Sequence, residues 1–91
     1  MNQTHRLKTD PKQFDDVAAG IKTFEIRRND RNFEQGDRLI LEETRYSAEQ
    51  MVAGAPLEFT GERLNLRVTH VLYGLQDGWC IMSVRREGEV E

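Results

Sequence analysis

The chain is short of most of what marks the common enzyme and membrane classes. It has one cysteine, Cys80, in 91 residues, which excludes an internal disulfide and a cysteine-rich zinc site. The neighbours Trp79, Ile81 and Met82 are apolar, so this thiol reads as buried and unreactive. The two histidines, His5 and His70, both share strand parity with apolar residues and read as packed or edge residues before catalytic ones. Apolar runs stop at three to four residues, as in Leu39-Ile40-Leu41, far below the ~20 that cross a bilayer, so no membrane partner is expected. The polar start Met1-Asn2-Gln3-Thr4-His5-Arg6 lacks the apolar stretch of a secretory signal, and a cytoplasmic location is the expectation. Also missing are a Gly-rich phosphate loop, a dinucleotide fingerprint and a His-Glu-x-x-His helix. Neither a cofactor nor a metal is expected.

Two prolines and seven glycines, with 37% hydrophobic and 32% charged residues, exclude the disordered and collagenous classes. The length suits one small domain, residues 1–91, with a structured part at about 4–86. A chain this small buries only roughly 60–65% of its unfolded surface, leaving little room for a large cofactor. Formal net charge is −3, which argues against a long footprint on duplex nucleic acid. Residues 1–38 hold eight Lys/Arg and seven Asp/Glu, whereas 39–91 hold five and nine. Any anion-binding patch is therefore expected in the first half.

The pattern predicts a strand, a helix, then strands. Thr4 to Lys8 alternates as a half-buried strand, with His5 and Leu7 on one side. Asp10-Pro11-Lys12-Gln13 predicts a helix start: Asp10 as cap, Pro11 at the first position and Gln13 completing a capping box. Phe14, Val17 and Ala18 form its apolar stripe, and Gly20 ends a helix of about ten residues. Lys22 to Arg28 alternates again, with Phe24 and Ile26 on one face and Thr23, Glu25 and Arg27 on the other. Arg38 to Glu42 reads as a strand. Ser47-Ala48-Glu49-Gln50 carries helix-start chemistry and Gly54 a stop, within an otherwise irregular 43–61 segment. A long strand then alternates through Leu64, Leu66, Val68, His70 and Leu72, and Trp79 to Val84 makes another. From Arg86 onward a frayed tail is expected. Five strand candidates with one good helix predict a mainly β, α+β fold: a small closed or nearly closed barrel of five to six strands, with room for a short second helix at residues 47–50.

The most informative stretch is Gly20-Ile21-Lys22-Thr23-Phe24-Glu25-Ile26-Arg27, followed by Arg28-Asn29-Asp30-Arg31. Taken alone, its residues favour a plain reading. Lys22 complements the helix C-terminal carbonyls, and Glu25 pairs with Arg27 in solvent for ~0–1 kcal/mol. The pattern G-x-K-x-x-E-x-R between a first helix and a strand, however, resembles the signature of ASCH domains, a branch of the PUA-like barrels. HRLKTDPKQF, RRNDRNFEQGD and FTGERL further resemble an uncharacterised ASCH-like branch of phages and bacteria. The resemblance covers residues 5–84.

That resemblance implies a β-barrel with flanking helices, whose motif residues line a cleft beside the first helix and meet RNA or a nucleotide-like ligand. Lys22, Arg27 and Arg31 are then candidates for holding phosphate or a carbonyl oxygen, and Glu25 for accepting N–H groups of a base. Phe33 is a candidate stacking platform for an unstacked base, against a role plugging the barrel; Trp79 is expected in the core. Some ASCH relatives are amidohydrolases acting on an acylated cytidine, with a threonine nucleophile three residues after the lysine. Here that position is Glu25, so a binding module is favoured over an enzyme. The alternatives are a hydrolase of RNA or a modified nucleoside, with Lys22 and Glu25 as its candidate base or acid, and a phage-type adaptor whose partner is a host protein.

Overall fold

The structure is a computed structural model describing residues 2–88. Five strands and two helices follow in the order β1 (Thr4–Thr9), α1 (Pro11–Ala18), β2 (Phe24–Arg28), β3 (Arg38–Thr44), α2 (Ala48–Val52), β4 (Phe59–Tyr73) and β5 (Trp79–Arg86). They form one sheet in the order β1-β3-β4-β5-β2, with β1 and β3 parallel and the other pairs antiparallel. The sheet curls into a half-barrel around a core that includes Leu7, Leu39, Leu41, Leu66, Val68 and Met82. Helix α1 adds Phe14 and Val17 to that core and packs against β3. Among the described residues, no helix is long and apolar enough to cross a membrane.

Several local expectations hold. Gly20 adopts φ +77° just past α1, a left-handed conformation open to glycine at no steric cost. Ser47 and Gln50 form a reciprocal capping box at the start of α2. Cys80 is 1% exposed in the core, and burial, with a smaller contribution from Asp30, pushes its thiol above the ordinary range. His5 is buried, its Nε2 2.9 Å from Asp37 Oδ2, and its ring meets Phe33 edge-on at 4.7 Å. Burial opposes ionisation of Asp37. Hydrogen bonds from the Gln3 amide, His5 and the Glu34 amide outweigh it and hold the carboxyl below its usual range.

Other expectations are corrected. Helix α1 has eight residues, and the two side chains expected to cap it are engaged elsewhere. Asp10 makes no cap bond to α1; its carboxylate accepts the Ala48 amide at 3.1 Å and ties the start of α2 to the β1–α1 corner. Gln13 accepts from Lys22. In β4 the register shifts between Val68 and His70, making Thr69 a bulge that reverses the alternation. His70 and Leu72 are therefore exposed and Val71 turns toward the core. The expected loose tail begins later: Arg86 lies within β5, and the Glu87 carboxylate is held by Arg67 at 2.9 Å. Residues 89–91 of that tail lie outside the described residues.

Candidate ligand-binding site

Strands β1 and β2 are the two edges of the sheet, and its curl brings them face to face. The seam is crossed by side chains. Arg27 of β2 donates from Nη1 to the Lys8 carbonyl at 3.2 Å and from Nη2 to Thr9 Oγ1 at 3.4 Å. Arg31 donates to the Arg6 carbonyl at 2.7 Å. Between this seam and α1 lies an open cleft of about 830 Å³, bounded by Lys8 and Thr9, by Gln13 and Asp16 of α1, and by residues 24–28 with Trp79. That volume is in the range of small-molecule sites.

Glu25 is a buried lining residue of this cleft, 2% exposed. Its partner across β2 and β5 is Met82, a fully buried core residue. The solvent ion pair favoured by the isolated residues is thereby corrected. The strand does have two faces, but the polar one turns inward, and Phe24 and Ile26 are 43% and 50% exposed. Because β2 is an edge strand beside an open seam, its inward face borders the cleft, and apolar residues gain less from pointing there than in a closed core.

Oε1 of Glu25 accepts from Arg27 Nε at 3.1 Å and lies 3.1 Å from Nη2. Oε2 has no hydrogen-bond partner; its nearest cation is Lys22 Nζ, 3.8 Å away. Lys22 does not sit on the helix C-terminal carbonyls. It donates to Gln13 Oε1 at 2.7 Å and lies 5.4 Å from the centre of the Phe24 ring. Lys22, Glu25 and Arg27 thus form one cluster: a desolvated carboxylate with one oxygen satisfied and one oxygen waiting for a donor.

The structure does not bring the other two candidates into this cluster. Arg31 sits on the outer side of the seam, bonded to β1. Phe33 is 1% exposed and its carbonyl accepts from the Tyr73 hydroxyl; it fills the barrel and offers no face to a base. The expectation of Trp79 in the core is corrected: it is a half-buried rim residue of the cleft, with Arg28 stacked 5.0 Å from its ring centre. Its place was legible in the alternation of its strand, where Cys80, Met82 and Val84 face the core and Trp79 shares parity with Ser83. Gln13 and Thr9 were missed because their roles depend on which element lies opposite. No residue of the 43–61 segment lines the cleft. Among the described residues, no group of His, Cys, Asp or Glu is arranged to hold a metal ion.

A curled sheet whose open seam exposes a lysine–carboxylate–arginine cluster defines a small β-rich protein with a ligand-sized cleft. Over residues 4–84 the chain matches a family described as "Domain of unknown function (DUF3850)", and it belongs to that family. It is also similar to a protein of Escherichia phage P2 described as an uncharacterised 12.9 kDa protein in the GpA 3′ region, 41% identical over 71 residues. The match covers 78% of this chain and 56% of the phage protein, so the chain spans little more than half of that relative.

Proposed function

We propose that the seam cleft binds one base, of RNA or of a free modified nucleoside, with Glu25 as the hydrogen-bond acceptor and Lys22 and Arg27 beside it. The observation that carries this reading is Glu25 Oε2, buried at the cleft without a donor. A buried acceptor left unpaired costs about 1–3 kcal/mol, and a ligand N–H placed there recovers it. The exocyclic amine or ring N–H of a base supplies that donor at the edge of a flat ring. Phe24 and Trp79 at the rim offer apolar surface against which such a ring stacks. The reading also fits the proposed kinship with ASCH domains, since Lys22, Glu25 and Arg27, the charged positions of the motif, all lie in the cleft.

The test is a thermal-shift screen of the protein against nucleosides, nucleotides and short RNAs. A ligand that binds only the folded state adds ~2.7 kcal/mol at 100 times its Kd, a large increment for a 91-residue chain. Silence across nucleosides and short RNAs alike would remove the base-binding reading.

A further inference from the structure

The chain carries a net charge of −3, yet its sheet gathers positive charge on one surface. The interior positions of β1, β3, β4 and β5 are those of the core residues, so the alternate positions form the outer face. Three cross-strand rows can be followed there. Thr4, Arg38, Arg67 and Arg85 are successive partners across four strands. Arg6 pairs with Ile40 and Ile40 with Asn65, whose carbonyl accepts the Glu87 amide. Lys8, Glu42 and Arg63 form the third row. Among the described residues of these rows, six cations (Arg6, Lys8, Arg38, Arg63, Arg67 and Arg85) therefore stand against Glu42 and the adjoining Glu87. This register sets Arg67 and Arg85, from the second half of the chain, beside Arg38 from the first.

Three arginines directly opposite one another repel, a cross-strand arrangement that costs stability unless an anion lies among them. Glu87 supplies one. It takes a two-point contact from Arg67, at 2.9 and 3.0 Å, and lies 3.6 Å from Arg38 Nε. Arg67 and these neighbours, including Arg85, hold its carboxyl below the usual range. Arg6 is matched by Glu42 at 3.2 Å. Lys8, Arg63 and Arg85 have no carboxylate within ion-pair distance among the described residues and are exposed.

We infer that this outer face binds the phosphodiester backbone of single-stranded RNA, with Glu87 occupying the place of one phosphate in the unbound protein. A cationic surface of this kind attracts a polyanion by counterion release, without reading sequence. The face is the convex side of a curled sheet, so a rigid duplex touches it along a short line while a flexible single strand follows the curve. It presents no aromatic side chain in its three rows, which makes the contact a backbone contact. Lys8 belongs both to this face and to the cleft, so a strand lying on the arginines has a path to the seam. The inference goes beyond the base-binding reading and stands without it.

The experiment titrates a fluorescent 20-nucleotide RNA of mixed sequence at several salt concentrations, using wild type, Arg63→Glu/Arg85→Glu and Glu87→Gln, each checked for folding by circular dichroism. Wild type should give a log–log slope of about −2 to −3, the mark of three or four neutralised phosphates. The double reversal should bind roughly tenfold more weakly with a slope shallower by about 1 to 2. Glu87→Gln, which removes the competing anion, should bind about two- to fivefold more tightly. Equal affinity and slope for wild type and the double reversal would overturn the inference. So would absence of RNA binding at 50 mM salt, or binding of polyglutamate in place of RNA, which would point to an acidic protein partner. A nucleoside shift retained by the double reversal leaves the cleft reading standing whichever way the RNA result falls.

Discussion

Arg27 Nη1 donates to the carbonyl of Lys8, a residue 19 positions earlier in the chain and on the opposite edge of the sheet. One guanidinium therefore holds the two edge strands together while its Nε satisfies the buried oxygen of Glu25. Arg27→Ala removes both functions at once and leaves a desolvated carboxylate whose nearest remaining cation is Lys22. Losing one partner of a buried pair is expected to cost about 3 kcal/mol, as measured by urea denaturation. Arg27→Lys should recover only part of this, because a single ammonium cannot match the fork that reaches Glu25, Lys8 and Thr9 together.

Glu25→Gln separates recognition from stability. The amide keeps the shape of the carboxylate and removes the cost of burying a charge, so the unfolding free energy should change by no more than about 1 kcal/mol. Binding should weaken by roughly 1–3 kcal/mol, since the amide presents a donor where the ligand's N–H needs an acceptor. Paired denaturation and nucleoside titration read the two effects. Unchanged nucleoside affinity in this variant would remove Glu25 from the recognition role.

Phe33→Leu should act in the opposite sense. The ring fills the barrel beside His5, and shortening it in a packed interior is expected to cost about 1–2 kcal/mol. Ligand affinity of the folded protein should be unaltered, because the ring has no surface in the cleft. Loss of affinity without loss of stability would restore Phe33 as a binding residue.

Acid should weaken the protein through Asp37. Its carboxyl titrates below the ordinary 3.8 when folded, so the unfolded chain takes up this proton first as pH falls. The stabilisation is complete above the unfolded value and is lost as pH drops through the lower folded value. Stability measured by urea from pH 6 to pH 2 should therefore decline below about pH 4. Asp37→Asn should start lower at neutral pH and show a shallower decline. Identical slopes for the two proteins would place the acid sensitivity elsewhere.

The parts of this fold legible in the sequence are those that short-range chemistry decides. Pro11 and Gly20 bracket α1 because one lacks an amide proton and the other tolerates a positive φ. Ser47 and Gln50 satisfy each other within a single turn. What the sequence did not disclose depends on what lies opposite. The alternation of residues 24–28 reveals two faces but not which is inward, and apolar character pointed the wrong way because the inward face meets an open seam. The bulge at Thr69 leaves no mark on the alternation of Leu64 to Leu72, so His70 and Leu72 looked internal. Charge counted by halves of the chain separated Arg38 from Arg67 and Arg85, which the register makes neighbours. In the candidate site, Lys22, Glu25 and Arg27 were singled out through the motif and lie together in the cleft, whereas Arg31, chosen for proximity in sequence, braces β1, and Phe33, read as either a stacking platform or a plug of the barrel, is the plug.

The seam also bears on how the chain behaves in a crowd. A strand at the margin of a sheet is a template on which another chain's strand can grow, and proteins escape aggregation by covering or charging such margins. Here the Arg6 and Lys8 carbonyls, which an incoming strand would need, are already engaged by Arg31 and Arg27. Two guanidinium groups thus occupy acceptors that fibre-like growth along β1 would require, and one of them, Arg27, lines the cleft as well.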